Sequence, residues 1–316
     1  MSKFLRIILV IVAILLLMLI SGCENKTEDT GKAFIGGDKG LLINFIDGAP
    51  PAEVFDTNYP FNINIKIENV GEWDINNAAD ATVEITGIDP KDFSKTAESF
   101  VKNADSSLTG AHRNPQGEAV KGTITNVEFP NLQYAGTLAG TSEFTIRANV
   151  CYTYGTKINS KICVLEDLLG SKKRTEVTEI CDPNTAKDTE NSGAPVHVTD
   201  FKETAVASDK LSFSFKISHV GTGVISKPNT ECSNEIADKD KVIVTVNTGL
   251  DGLSCSGILG GGTTGETTLY NGEREIMCTQ QLPSPRGNYE KQISITLQYD
   301  YEDHIDKALK VKHSVG

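Results

Sequence analysis

From Phe61 to Glu68 the chain alternates without a break: Phe61, Ile63, Ile65 and Ile67 are apolar, while Asn62, Asn64, Lys66 and Glu68 are polar. A period of two puts one set on a single face of a β-strand, whereas a helix would scatter the same residues around its circumference. The run ends at Val70-Gly71, and the whole pattern returns further on. Leu211, Phe213, Phe215 and Ile217 alternate with Ser212, Ser214, Lys216 and Ser218, ending at Val220-Gly221. FNINIKIENVG and LSFSFKISHVG align without a gap. A second pair follows in the same order, with Ile146, Ala148, Val150, Tyr152 and Tyr154 matching Ile293, Ile295, Leu297, Tyr299 and Tyr301. Two matches in order at similar spacing point to a tandem of related β units.

Short strands separated by Gly, Asn, Asp and Pro complete each unit. They are predicted near 41–46, 80–86, 120–129 and 160–166 in the first. In the second they fall near 196–201, 241–247, 252–257, 266–270, 274–280 and 305–313. Only Lys91 to Asn103 reads as a helix. Many short strands at regular spacing imply an all-β chain of two tandem immunoglobulin-like β-sandwich domains. They are expected over 41–168 and 195–316, with a charged, turn-rich linker at 169–194 that includes Lys172-Lys173-Arg174 and Asp182-Pro183-Asn184.

An N-terminal hydrophobic helix precedes them. Lys3 and Arg6 form a basic start, an uncharged apolar run extends from Ile7 to Ile20, and small residues follow, which is the layout of an export signal. The run falls short of the ~20 residues that span a bilayer as a helix. Ile20-Ser21-Gly22-Cys23 resembles a prokaryotic lipobox, in which the cysteine becomes the lipidated N-terminus. Residues 1–22 are thus expected to be a signal peptide or anchor, and Cys23 the lipidation site. Residues 23–40, polar and glycine-containing, read as a flexible tether. The alternative is an uncleaved anchor. Either way the remainder faces the extracellular side of the cell membrane. A net charge of −12 argues against nucleic acid as a partner.

Cys151, Cys163, Cys181, Cys232, Cys255 and Cys278 remain once Cys23 is set aside, an even number that suits disulfides in an exported chain. Pairing across neighbouring predicted strands joins Cys151 to Cys163 and Cys255 to Cys278, which leaves Cys181 for Cys232. No Cys-x-x-Cys or His-x-x-x-His spacing is present, so no metal site is expected.

The string NIKIENVGEWDINNA resembles the second-strand region of CARDB-like and related Ig-like modules of prokaryotic, especially archaeal, surfaces. The order of RANVCYTYGTKINSKICV, APVHVTDF, LSCSG and EIMCTQQL resembles tandem Ig-like surface proteins of archaea, over roughly residues 40–316. That resemblance implies adhesion, surface architecture or spacing between other domains, and no catalysis. Separately, the β architecture itself suggests a protein partner or self-association through exposed sheet edges.

Catalytic patterns are missing. Gly252-Leu253-Ser254-Cys255-Ser256-Gly257 lacks the glycine spacing and following helix of a nucleophile elbow. The glycine-rich stretch from Gly257 to Gly265 has no phosphate-loop lysine. His219 falls on the apolar side of its strand, and Trp73, the single tryptophan, reads as a packing residue. No enzyme activity and no cofactor are expected. The leading expectation is a structural, adhesive or protein-interaction role; the alternative is a lipoprotein that binds a solute, glycan or metal and passes it to a membrane partner.

Overall fold

The computed structural model describes residues 32–170 and 180–314. The hydrophobic helix and Cys23 lie outside them, and so do residues 171–179 of the expected linker. Among the described residues no helix is long and apolar enough to cross a membrane.

The architecture is all-β, and its strands pair antiparallel apart from one short parallel pair. In chain order the strands are β1 (Leu41–Phe45), β2 (Glu53–Phe55), β3 (Phe61–Asn69), β4 (Ala81–Thr86), β5 (Val101–Asn103), β6 (His112–Arg113), β7 (Ala119–Val120), β8 (Ile124–Leu132) and β9 (Thr141–Val164). The second half adds β10 (Glu190–Asn191), β11 (Val196–Ala207), β12 (Lys210–His219), β13 (Val224–Ser226), β14 (Lys241–Asn247), β15 (Leu253–Ser256), β16 (Thr264–Thr268), β17 (Glu273–Gln281) and β18 (Tyr289–Lys312). One sheet runs β1-β3-β8 and its counterpart β11-β12-β17-β15. A third sheet, ordered β16-β14-β18-β9-β4-β5, takes strands from both repeats. β10 is added beside β9, and β13 and β2 beside β18; β6 and β7 form a hairpin of their own.

The alternation read from the sequence is the cause of this layering. Ile63, Ile65 and Ile67 of β3 are fully buried, and so are Phe215 and Ile217 of β12, while the residues between them are not. Buried residues from both repeats merge into one core cluster.

β9 and β18 pair over their whole length, from Tyr289 opposite Val164 to Lys312 opposite Thr141. At ~3.3 Å per residue this is a ladder of roughly 80 Å. The predicted strands at 146–154 and 160–166 are therefore one strand, and 293–301 and 305–313 are another. Gly155, Asn159 and Ser160 look like turn residues but lie in mid-strand. Gly155 is small for a specific reason: a Cβ there would collide with the ring of Trp73, which rests on it while Lys157 Nζ sits 5.5 Å from the ring centroid.

Two further expectations are corrected. Residues 91–103 carry apolar residues at helical spacing but form two 3₁₀ turns, Pro90–Phe93 and Ala97–Phe100, followed by β5. Ser94 adopts a left-handed conformation with φ 57°, which stops the first turn after Phe93 has reached the core. From residue 33 onwards the segment read as a flexible tether is fastened. Glu72 accepts N–H bonds from Ile35 and Gly36, each at 2.9 Å, and from Gly193 at 2.7 Å. It thus ties the segment before β1 to the segment before β11.

All six described cysteines are paired: Cys151–Cys232, Cys163–Cys181 and Cys255–Cys278. The last joins β15 to β17 as the sequence suggested. The other two pairings differ from expectation. Cys151 and Cys163 sit on the single strand β9, about a dozen residues and hence roughly 40 Å apart, far beyond disulfide reach.

Candidate functional site: the β9–β18 seam

The repeat match equates Tyr152 with Tyr299 and Tyr154 with Tyr301, yet the ladder pairs Tyr154 with Tyr299 and Tyr152 with Tyr301. This exchange is the signature of an approximate two-fold axis, which passes through the pair Thr153 and Asp300. The seam therefore has two chemically different faces at its centre.

The inner face carries four buried tyrosines. Ring centroids lie 5.4 Å apart for Tyr152 and Tyr154, 5.7 Å for Tyr152 and Tyr301, and 6.3 Å for Tyr299 and Tyr301. Every hydroxyl is engaged, as a buried phenol requires. Tyr154 donates to Asn69 Oδ1 at 2.9 Å and accepts from Trp73 N at 3.4 Å. Tyr301 accepts from Gly223 N at 2.7 Å and lies 3.1 Å from His219 Nε2. In the alignment of the first strands Asn69 matches His219 and Trp73 matches Gly223, so both repeats anchor their second tyrosine in the same way. Gly71 and Gly221 also correspond. A Cβ at either would overlap the hydroxyl of Tyr154 or Tyr301, which explains a glycine at the end of both alternating strands. Tyr152 accepts from Leu41 N at 3.3 Å, and Tyr299 shares a bond with Thr156 Oγ1 at 3.1 Å. Burial drives the phenols of Tyr152, Tyr154 and Tyr299 upward and pushes Tyr301 up to about 12, so none is poised to ionise near neutrality.

The outer face is polar. Asp300 is almost fully buried there, beneath the loop that follows β13. Its Oδ1 accepts from Thr153 Oγ1 at 2.7 Å and Asn229 N at 3.0 Å, and its Oδ2 from Thr230 N at 2.8 Å. Left-handed backbone at Asn229, Glu231 and Cys232 turns these N–H groups toward the carboxylate. The Cys151–Cys232 disulfide fixes the same loop to β9. Beside the loop is an open groove of about 630 Å³ over β4, β9 and β18, lined in part by Glu84, Asn149, Cys151, Glu231 and Glu302. Burial, and then the charge of Glu84, raises the proton affinity of Glu302.

The histidines lie apart from one another. His219 is half-buried against Tyr301, and burial lowers its pKa. His197 Nε2 is 3.0 Å from Gly37 O, and its pKa is lowered by burial as well. His112 Nδ1 is 3.3 Å from Gly110 O, His313 Nδ1 is 2.8 Å from Asp56 Oδ2, and His304 is exposed. Among the described residues no histidine nitrogen bonds a serine or cysteine, and no three His, Cys, Asp or Glu side chains converge on a metal position. Trp73 packs on the sheet, as read from the sequence.

Sequence reasoning found the tyrosines only as members of an alternating strand. It missed Asp300, whose signal was an acid set between two core tyrosines, and Glu72. No family model matches the chain, and no curated protein matches it.

Proposed function

We propose that this is a membrane-anchored protein of the cell surface that acts without catalysis, in adhesion, protein–protein contact or envelope structure. In this reading each repeat is an Ig-like β-sandwich of the CARDB-like kind found on archaeal surfaces. The N-terminal segment, through Cys23 or as an uncleaved anchor, holds the unit to the membrane facing outward. The observation that carries the proposal is the oxidised state of all six described cysteines, which suits a non-cytosolic compartment. The long seam and its fastened tyrosines suit a stiff spacer. The test is protease shaving of intact host cells with fractionation. Loss of the protein from whole cells and its recovery with membranes are expected; recovery in the cytosol alone would overturn the proposal.

The groove over the seam favours a second reading, a solute- or glycan-binding lipoprotein. Titration with free sugars and amino acids, followed by amide shifts at Glu84, Asn149 and Glu302, tests it. Unshifted signals across the panel would count against it.

A further inference from the structure

The acids on the outer face of the β9–β18 ladder have partners, with one exception. Glu290 meets Lys161 at 2.9 Å, Asp306 meets Arg147 at 2.8 Å and Glu143 meets Lys310 at 3.4 Å. Asp300 accepts from Thr153, Asn229 and Thr230. The carboxylate of Glu302 has neither an ion pair nor a hydrogen bond among the described residues. It lines the groove of about 630 Å³ together with Asp80, Glu84 and Glu231, whose carboxylates have no such partner either. No described lysine, arginine or histidine lines that groove. Burial, and then the charge of Glu84, makes Glu302 hold its proton more tightly, as befits an acid without a counter-charge.

The two-fold relation of the repeats shows what the same place holds in the other half. Glu302 corresponds to Gly155, His304 to Lys157 and Gly223 to Trp73. On Gly155 the chain lays the ring of Trp73, and Lys157 Nζ brings a positive charge to within 5.5 Å of the ring centroid. The image of that place has neither. A Cβ at Gly223 would strike Glu302 O and the Tyr301 ring, so the second repeat sets no side chain there. Where the first repeat seats a flat apolar body and a cation, the second leaves an open floor with a carboxylate on it.

We propose that the groove beside the seam takes a linear organic cation with separated ammonium groups, a diamine or polyamine. This names the ligand class for the second reading above, solute binding at the seam, and it rests on that reading. The spread of the acids sets the class. Glu302 lies opposite Cys151 on one side of β9, and Glu84 lies opposite Asn149 on the other. Two strand spacings across and two residues along put their backbones roughly 12 Å apart. No three acids converge on a metal position among the described residues, so one compact ion cannot meet them together. A chain with an ammonium group toward each end can. Its methylene segments lie along the floor, and its charges form charge-assisted hydrogen bonds to Glu302 and Glu84. A cleft lined by one sign of charge also concentrates such a ligand before it docks.

The test is calorimetric titration of the full-length protein, in micelles of an uncharged detergent at about 0.15 M salt, with spermidine. Saturable binding is expected, and fully N-acetylated spermidine, which keeps the chain and loses the charge, binds at least tenfold more weakly. Glu84→Gln/Glu302→Gln takes no partner from any described group and weakens spermidine at least tenfold. Glu290→Gln, outside the groove, leaves binding unchanged, and an unlowered thermal midpoint shows that each variant is folded. In the unaltered protein, spermidine shifts the amides of Glu84, Asn149 and Glu302. Equal binding of the acetylated form, or full binding by the double variant, would overturn the proposal. So would displacement of spermidine by magnesium at equal charge concentration, which would mark a diffuse counter-ion only. If free sugars moved those amides and spermidine did not, this inference would fall and the second reading would stand; if neither did, both would fall.

Discussion

Thr153 Oγ1 donates to Asp300 Oδ1 at 2.7 Å across the centre of the β9–β18 ladder, and the two residues hold the same position in their respective repeats. A pair that is equivalent by sequence has become complementary by chemistry, one member a donor and the other an acceptor. Asp300 then has capacity left for the N–H groups of Asn229 and Thr230.

Asp300→Ala leaves those two N–H groups and the Thr153 hydroxyl without their acceptor. At ~1–3 kcal/mol for each buried unsatisfied group, a loss of about 3–5 kcal/mol is expected in denaturant unfolding. Asp300→Asn keeps one acceptor oxygen and should lose about half as much. A loss below about 1 kcal/mol for the alanine variant would contradict the role given to Asp300.

Gly71→Ala and Gly221→Ala each drive a methyl group into a tyrosine hydroxyl, and into Gly193 O or the Pro195 ring respectively. Overpacking of this kind costs about 1–3 kcal/mol. Tyr301→Phe should recover part of the loss in Gly221→Ala, because it removes one of the two clashing groups. Thermal unfolding of the single and double variants measures the recovery.

Much of this was legible from alternation. β3, β12 and the all-β class follow from residues that a period of two places on one face, and the Cys255–Cys278 pairing from two strands that neighbour one another. The continuity of β9 and β18 was not. Gly155 signals a turn unless one knows that Trp73, distant in sequence, lies on it. The Cys151–Cys232 and Cys163–Cys181 pairings inherit that difficulty, since they depend on which strands run straight. The mistaken helix at 91–103 shows apolar spacing overruled by a local backbone reversal at Ser94.

Glu203 is buried, with both carboxylate oxygens on Cys163 N at 2.9 and 3.0 Å and Lys187 Nζ at 3.5 Å. Burial raises its pKa from 4.5 to about 7. A carboxyl that holds its proton more tightly when folded lends most stability below pH 4.5, and it loses that contribution as the pH rises to about 7. Stability attributable to this group should therefore fall between those values and level off above them. Glu203→Gln should flatten that slope in denaturation curves taken across the range; an unchanged slope would contradict the assignment.

Cys151 is only partly buried beside the groove, whereas Cys163, Cys255 and Cys278 are almost fully enclosed. Mild reductant should open Cys151–Cys232 first, as read by alkylation and peptide mapping. The same bridge closes the longest loop, 81 residues against 18 and 23, and removing it should cost most, about 4 kcal/mol in the chain-entropy account. The Cys151→Ala/Cys232→Ala variant, compared with Cys255→Ala/Cys278→Ala in denaturant, checks the order.

One measurement addresses both the proposed export and anchoring of the chain and the three disulfides of its described residues. It is the intact, non-reduced mass of the protein extracted from the membrane of its own host, followed by a peptide map. A chain that begins at acylated Cys23 and carries Cys151–Cys232, Cys163–Cys181 and Cys255–Cys278 is the predicted result. A chain that retains Met1 with six free thiols would contradict it, placing the protein in a reducing compartment and removing the basis for a surface role.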